Sequence, residues 1–166
     1  MLQTELRELL GVGEPTSETR AEMGAFGAPW AATSAIRTVL VVDDDETIRE
    51  LVAAVLEYRG YRLRTAGSGL EGLSILRQRR VDLLITDVEM PLLDGRRLAR
   101  RARRMRPHLP ILFVSGGTVA AGAERSMHGG PCALLRKPFS FARLVSLVEE
   151  LLRRSSAAVQ SPRVAG

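Results

Sequence analysis

The sequence is poor in lysine and cysteine and has no long apolar run, and each shortage excludes a class of protein. Its 166 residues contain one lysine, Lys137, beside 23 arginines, and one cysteine, Cys132. A single cysteine cannot form an internal disulfide, and no Cys/His cluster has the spacing of a zinc site. No apolar run approaches the ~18 residues that a membrane span needs. These absences predict a cytoplasmic protein of a reducing compartment, without structural zinc and without membrane insertion.

Composition divides the chain into three parts. Residues 1–37 are rich in Gly, Ala, Thr, Glu and Pro, which predicts a flexible N-terminal extension, with a short helix over residues 2–10 where leucines recur at helical spacing. Residues 38–153 carry regular apolar patterns and predict one globular domain. Residues 154–166 are small and polar and predict a disordered C-terminal tail.

Five short apolar runs alternate with helical patterns within this domain. Three of the runs are almost continuously hydrophobic, which is typical of parallel strands covered on both faces. Amphipathic stripes follow the first, second, third and fifth runs, whereas the stretch after the fourth is glycine-rich and predicts only a short or mobile helix. The repeated βα unit predicts an α/β fold with a five-stranded, doubly wound parallel sheet. The runs are residues 39–43, 61–66, 82–87, 110–115 and 132–136.

Polar side chains stand where these predicted strands end. Asp43 and Asp44 end the first run, Asp87 ends the third, Ser115 ends the fourth, and Lys137 follows the fifth. Ligands of doubly wound sheets bind beyond the carboxyl ends of the strands. Carboxylates gathered there repel one another unless water or a cation compensates them, and an all-oxygen site suits Mg²⁺. The sequence therefore predicts a magnesium site in which Asp87 is held ionised as a nucleophile.

Four short motifs resemble the receiver domain of two-component response regulators of the chemotaxis-regulator type. They are VVDDDET, ITDVEMP followed by DG, FVSG, and KPF. Their spacing also agrees, with 43 residues from Asp44 to Asp87, 28 from there to Ser115, and 22 more to Lys137. The resemblance implies a receiver domain over residues 38–153, with strand order 2-1-3-4-5 in a flavodoxin-like three-layer sandwich.

The same resemblance implies a role for each residue at the strand ends. Asp87 would be the phosphoacceptor, and Ser115 and Lys137 would contact the phosphoryl group. The Lys137–Pro138 bond would be cis, and Leu134 stands where the family often has an aromatic residue. The ligands of Mg²⁺ would be Asp43, Asp44, Asp87 and the backbone carbonyl of Glu89.

The function implied is that of a signalling phosphoacceptor and not of an enzyme. Its partners would be a histidine kinase or histidine phosphotransfer protein and a downstream protein, with a homodimer left open. The alternatives are a detached receiver of a hybrid histidine kinase and a receiver-like scaffold that is never phosphorylated. A haloacid-dehalogenase-type phosphatase, suggested by D-x-D-x-T at residues 43–47, is excluded because the only late acids, Glu149 and Glu150, lie within the last helical pattern.

Positive charge is concentrated in one predicted helix. Residues 96–106 contain seven arginines and no acid. Such a helix either binds phosphates or an acidic partner, or is simply a solvated face in an arginine-rich chain. No helix-turn-helix, zinc finger or aromatic stacking surface accompanies it, so nucleic acid is not expected as a partner.

Overall fold

A computed structural model describes residues 36–117 and 130–160 of the chain, with side chains described as far as Ala157. The strands are β1 (Thr38–Val42), β2 (Arg62–Ala66), β3 (Leu83–Asp87), β4 (Ile111–Ser115) and β5 (Cys132–Arg136). The helices are α1 (Glu46–Tyr58), α2 (Gly69–Gln78), α3 (Gly95–Met105) and α4 (Phe141–Gln160). Each predicted apolar run forms a strand, and the boundaries differ from the prediction by about one residue.

The five strands form one parallel sheet in the order β2-β1-β3-β4-β5. Every residue of β1, β3 and β4 is buried, whereas the edge strands β2 and β5 are partly exposed. The continuous apolar runs belong to the three central strands, because helices cover both of their faces. The predicted doubly wound α/β fold and its strand order are confirmed.

Helices cover the sheet on two sides and complete three layers. Helices α1 and α4 contact each other and lie on one face, while α2 and α3 contact each other on the opposite face. On the α2 and α3 side, Leu73 and Leu98 join a cluster of buried side chains with Leu40, Leu84 and Ile111 of the strands. Burial of these apolar stripes is what orients each helix on the sheet.

A short polar side chain begins each helix at the residue before it. It accepts a hydrogen bond from a backbone amide of the first turn, which helix formation leaves without a partner. The pairs are Asp45 Oδ1 with the Ile48 amide (3.2 Å), Ser68 Oγ with Glu71 (3.3 Å), Asp94 Oδ1 with Arg97 (2.8 Å) and Ser140 Oγ with Arg143 (3.2 Å). Each helix thus begins soon after the strand that precedes it, near the edge of the sheet where ligands of doubly wound folds bind.

The C-terminal boundary differs from the prediction. A disordered tail was expected over residues 154–166, but α4 continues to Gln160. Ser156 explains part of the difference, because its Oγ accepts from Arg37 Nη2 at 3.0 Å and donates to the Leu152 carbonyl at 3.1 Å. A small polar residue can thus lie within a helix that is docked against the domain.

Three predictions fall on residues that the structure does not describe. They are the helix over residues 2–10 within the N-terminal extension, the weak helix after Ser115, and the end of the tail beyond residue 160. In the described part, no helix combines the length and apolar character needed to cross a bilayer.

Candidate functional site

Three carboxylates meet at the carboxyl ends of β1 and β3, which are neighbours in the sheet. Asp43 follows β1 and Asp87 ends β3, and both are buried, with 3% and 8% of their surface exposed. Asp44 is exposed beside them. One carboxylate oxygen from each of the three lies within 4.8 Å of the other two. The fold thus brings together the acids that the sequence places at different strand ends.

Lys137 reaches the same cluster from beyond β5, which lies two strands away from β3. Its Nζ is 3.1 Å from Asp43 Oδ2 and 3.6 Å from Asp87 Oδ2. The Lys137 amide donates to the Ser115 carbonyl at 2.8 Å, and the Lys137–Pro138 bond is cis. The one lysine of the chain therefore forms ion pairs with both buried carboxylates.

Ser115 brings a hydroxyl to this edge of the sheet. It is 1% exposed at the end of β4, one residue beyond Val114, which is in register with Asp87. Its Oγ accepts a hydrogen bond from the Gly117 amide at 3.2 Å. Leu134 occupies the position where the resemblance implies an aromatic residue, and it is half-buried in β5 opposite Phe113.

Burial raises the pKa of the Asp87 carboxyl group. Desolvation raises the pKa of its carboxyl, Lys137 lowers it, and the neighbouring Asp43 raises it. The nearby backbone amides of Val88 and Glu89 lower the pKa, but the net direction is upward from the ordinary value of 3.8. Asp87 is thus a carboxylate whose negative charge the fold leaves incompletely compensated, so a cation at the cluster would stabilise it.

For Lys137, the nearby carboxylates outweigh the effect of burial on the pKa. Burial by itself disfavours its ammonium, but the hydrogen bond and charge of Asp43, followed by those of Asp87, raise the pKa of Lys137 above 10.5. The amine therefore stays protonated at neutral pH. The site holds a fixed positive charge within reach of Asp87.

Arg49, which the sequence reasoning did not single out, holds the strand end that carries Asp43. Its Nη1 donates to the Asp43 carbonyl at 2.8 Å, and its Nη2 lies 3.6 Å from Glu46 Oε1. Asp43 Oδ1 accepts from the Asp45 amide at 3.0 Å. No sequence signal separates this arginine from others on helices, because its role depends on how α1 sits against the end of β1.

Glu89 lies beside the loop that follows β4. A Cβ built on Gly117 would overlap its carboxylate, with Glu89 Oε1 only 2.5 Å away. The absence of a side chain at Gly117 thus leaves room for Glu89. The part expected of its backbone carbonyl in binding a metal stays a prediction.

The donor set fits a hard divalent cation. Asp43, Asp44 and Asp87 offer three carboxylates against one ammonium, which leaves excess negative charge at a single point. All the offered atoms are oxygens, and the exposed Asp44 leaves one side open to water, as suits an ion that keeps part of its hydration shell. These residues could hold Mg²⁺.

Comparison with known proteins identifies the family of this domain. The response regulator receiver domain family matches residues 39–149. A response regulator receiver domain protein from Clostridium thermocellum superposes with a TM-score of 0.68 at 29% identity, covering 74% of this chain and 99% of that one. The chemotaxis response regulator CheY4 of Vibrio cholerae gives 0.63 at 29% identity, covering 70% and 99%.

Curated relatives agree, although they are longer. The response regulator MprA of Mycobacterium sp. (strain KMS) is 35% identical over 71% of this chain and 51% of its own length. The sensor kinase CckA of Brucella abortus is 36% identical over 70% of this chain and 13% of its own length. The chain thus spans about half or less of the relatives it matches. With its five-stranded sheet and its acidic strand ends, it belongs to the response regulator receiver domain family.

Proposed function

We propose that this domain accepts a phosphoryl group on Asp87 from a phosphohistidine of a histidine kinase or phosphotransfer protein, in a Mg²⁺-dependent reaction. The observation that carries the proposal is the meeting of Asp43, Asp44, Asp87 and Lys137 at one edge of the sheet. Such a set supplies a nucleophile, a place for a cation and a fixed positive charge, which are the requirements of phosphoryl transfer.

In the proposed reaction, a carboxylate oxygen of Asp87 attacks phosphorus in line with the bond to the donor nitrogen. The new O–P bond forms as the N–P bond breaks, and the donor imidazole leaves with the bonding electron pair. Bound at Asp43, Asp44 and Asp87, Mg²⁺ would neutralise charge on the phosphoryl oxygens. Each phosphoryl transfer modifies Asp87 of the domain itself, so the domain acts as a phosphoacceptor and not as an enzyme with a separate substrate.

Lys137 and Ser115 would stabilise the product. The Lys137 ammonium, 3.6 Å from Asp87 Oδ2, is close enough to meet a phosphoryl oxygen after a small rotation. Ser115 Oγ now accepts from the Gly117 amide and still has its own proton to donate. Its turn toward a phosphoryl oxygen would move the loop after β4, and so change the surface that a downstream protein binds.

A second candidate is a receiver that works within a hybrid histidine kinase. The likeness to the sensor kinase CckA of Brucella abortus, which this chain matches over 13% of that protein's length, favours it. Both candidates require the same chemistry at Asp87 and differ in whether the phosphodonor is a separate protein.

The proposal is tested by incubating the protein with acetyl phosphate and Mg²⁺ and measuring its intact mass. We expect the mass of one HPO₃ group to be added, and to be absent when EDTA removes the metal. Asp87→Asn should abolish the addition, because the amide is no longer a nucleophile.

Asp94→Asn is the matched control for this loss of one carboxylate. Asp94 lies outside the acidic cluster and caps α3, and asparagine caps helices equally well. This variant should be phosphorylated like the wild type. An unmodified wild type, or an equal mass gain in Asp87→Asn, would contradict the proposal.

A further inference from the structure

Six of the seven arginines of residues 96–106 fall into two structural groups, and the seventh, Arg96, is half-buried at the start of α3. Arg103 is buried, and its Nη2 donates to the carbonyls of Gly130 (2.9 Å) and Pro131 (3.0 Å). Arg106 donates from Nη2 to Leu76 and Arg79 carbonyls (2.9 and 2.6 Å) and from Nη1 to that of Val81 (3.3 Å). These two side chains connect α3 to neighbouring segments, so their charge has a role within the fold.

The second group forms the outward face of α3. Arg97, Arg100, Arg101 and Arg104 are all exposed, and we call them the arginine stripe. They recur at the spacing of one helix face, and the only other exposed residue of α3 is Met105. Arg97 Nε lies 3.9 Å from Asp94 Oδ2, and the other three make no ion pair with another described residue. The stripe therefore presents a nearly uncompensated positive face about 10 Å long.

The general use of arginine in place of lysine in this sequence does not explain the arginine stripe. That usage explains why the basic residues are arginines, but it does not explain why four of them lie on one face of α3. Helix α1 exposes Glu46, Glu50 and Glu57 and no arginine, and α4 exposes both signs of charge. In addition, Arg97 lies in the first turn of α3, where the helix dipole disfavours a cation, and arginines three or four positions apart repel each other. The fold thus retains an arrangement that costs stability.

We propose that the arginine stripe binds a helix of a partner protein that presents carboxylates at positions i, i+3, i+4 and i+7. Guanidinium groups pair with carboxylates in a bidentate geometry, and such a helix repeats at the same interval as the stripe. This surface is separate from the acidic cluster, so the proposal does not depend on phosphorylation of Asp87.

A protein helix fits the stripe better than a nucleic acid or a membrane. The stripe is short, and Asp94 stands at its N-terminal end, where the carboxylate would repel a polyanion running past it. No aromatic side chain lies in α3 for bases to stack on. The apolar face of α3 is buried through Leu98, Ala99 and Ala102, and Met105 is the one exposed apolar residue of the helix, so α3 has little apolar surface to insert into lipid.

The test uses two labelled synthetic helical peptides and a labelled DNA duplex, each measured by fluorescence anisotropy. One peptide carries glutamates at i, i+3, i+4 and i+7, and the other has the same composition with glutamates spread around the helix. We expect the first peptide to bind the wild type more tightly than either competitor. Replacing all four stripe arginines by glutamine should weaken that binding about tenfold, because several exposed ion pairs of modest strength are lost together.

The matched control removes the same charge elsewhere, with Arg62, Arg64, Arg143 and Arg153 replaced by glutamine. These four side chains are exposed on β2 and α4. The control variant should bind the patterned peptide within twofold of the wild type once both variants are shown to unfold at similar temperatures. Equal loss in the two variants, equal affinity for the two peptides, tighter binding of the duplex, or no binding at all would overturn the proposal.

Discussion

The surroundings of Asp87 disfavour the ionised form of its carboxyl group. Desolvation and the charge of Asp43 raise its pKa, and the nearby Lys137 compensates only in part. The folded protein therefore holds a proton on Asp87 more tightly than the unfolded chain does. By linkage, the contribution of Asp87 to the free energy of unfolding falls as pH rises from 3.8, the ordinary value, through the raised value. The residue that we propose as the phosphoacceptor therefore costs stability when it is ionised.

Asp87→Asn is therefore expected to be more stable than the wild type at pH 7 in EDTA. Asparagine removes the buried charge, while Lys137 keeps its contact with Asp43 at 3.1 Å. The advantage should disappear as pH is lowered below 3.8, where Asp87 is protonated in both states. Urea unfolding across this pH range measures the effect. The free energy of unfolding of the cap variant Asp94→Asn should change by less than about 0.5 kcal/mol. A less stable Asp87→Asn at pH 7 would contradict this expectation.

At the scale of elements, the start of α3 fixes the end of β3. The Gly95 amide donates to the Val88 carbonyl at 3.1 Å, and a Cβ built on Gly95 would overlap the carbonyl oxygen of Asp87. A side chain there has no room, because the obstacle is backbone and cannot rotate away. Gly95 thus allows a helix to begin directly against the residue that we propose as the phosphoacceptor.

Gly95→Ala is expected to destabilise the protein by about 1–3 kcal/mol, through overpacking against the backbone of β3. It should also weaken Mg²⁺ binding, because Asp87 has to move. Gly116→Ala is the control, since no atom of the described residues lies within 4 Å of a Cβ built there. Urea unfolding and calorimetric titration with Mg²⁺ measure the two effects. Equal behaviour of the two variants would show that the close approach of Gly95 is unimportant.

At the scale of the whole molecule, the acidic cluster depends on the folded sheet. Asp43 and Asp87 are 44 positions apart in sequence, and Lys137 is 50 further on. Only the folded state gathers their side chains, so a cation that binds the cluster stabilises the fold as a whole. Binding of a metal ion at the cluster would therefore be thermodynamically coupled to folding.

Mg²⁺ is expected to raise the unfolding temperature of the wild type. At about one hundred times its dissociation constant, the gain in unfolding free energy should be about 2.7 kcal/mol. Asp44→Asn should lose most of this gain without loss of packing, because Asp44 is exposed. Thermal unfolding during a Mg²⁺ titration at constant ionic strength is the measurement. A shift of equal size in Asp44→Asn, or no shift in the wild type, would contradict this expectation.

Most of the fold could be predicted because its signals are local. Continuous apolar runs at residues 39–43, 82–87 and 110–115 mark central strands, and the amphipathic stripes mark helices. The strand order came from the motifs and not from periodicity. The end of α4 differs from the prediction because small polar residues such as Ser156 are typical of disordered tails. The hydrogen bond that Ser156 accepts from Arg37 joins residues far apart in the sequence and gives no local signal.

The amino-acid sequence alone specifies the chemical groups of the site: acids after the first and third apolar runs, a serine after the fourth, and the one lysine after the fifth. The other properties arise only when the chain is folded. Folding brings Lys137 to within 3.6 Å of Asp87, lets Arg49 hold Asp43, and separates the buried Arg103 and the half-buried Arg106 from the exposed arginine stripe. The physical reason is that charge, desolvation and hydrogen bonding depend on distances between residues that lie far apart in the chain.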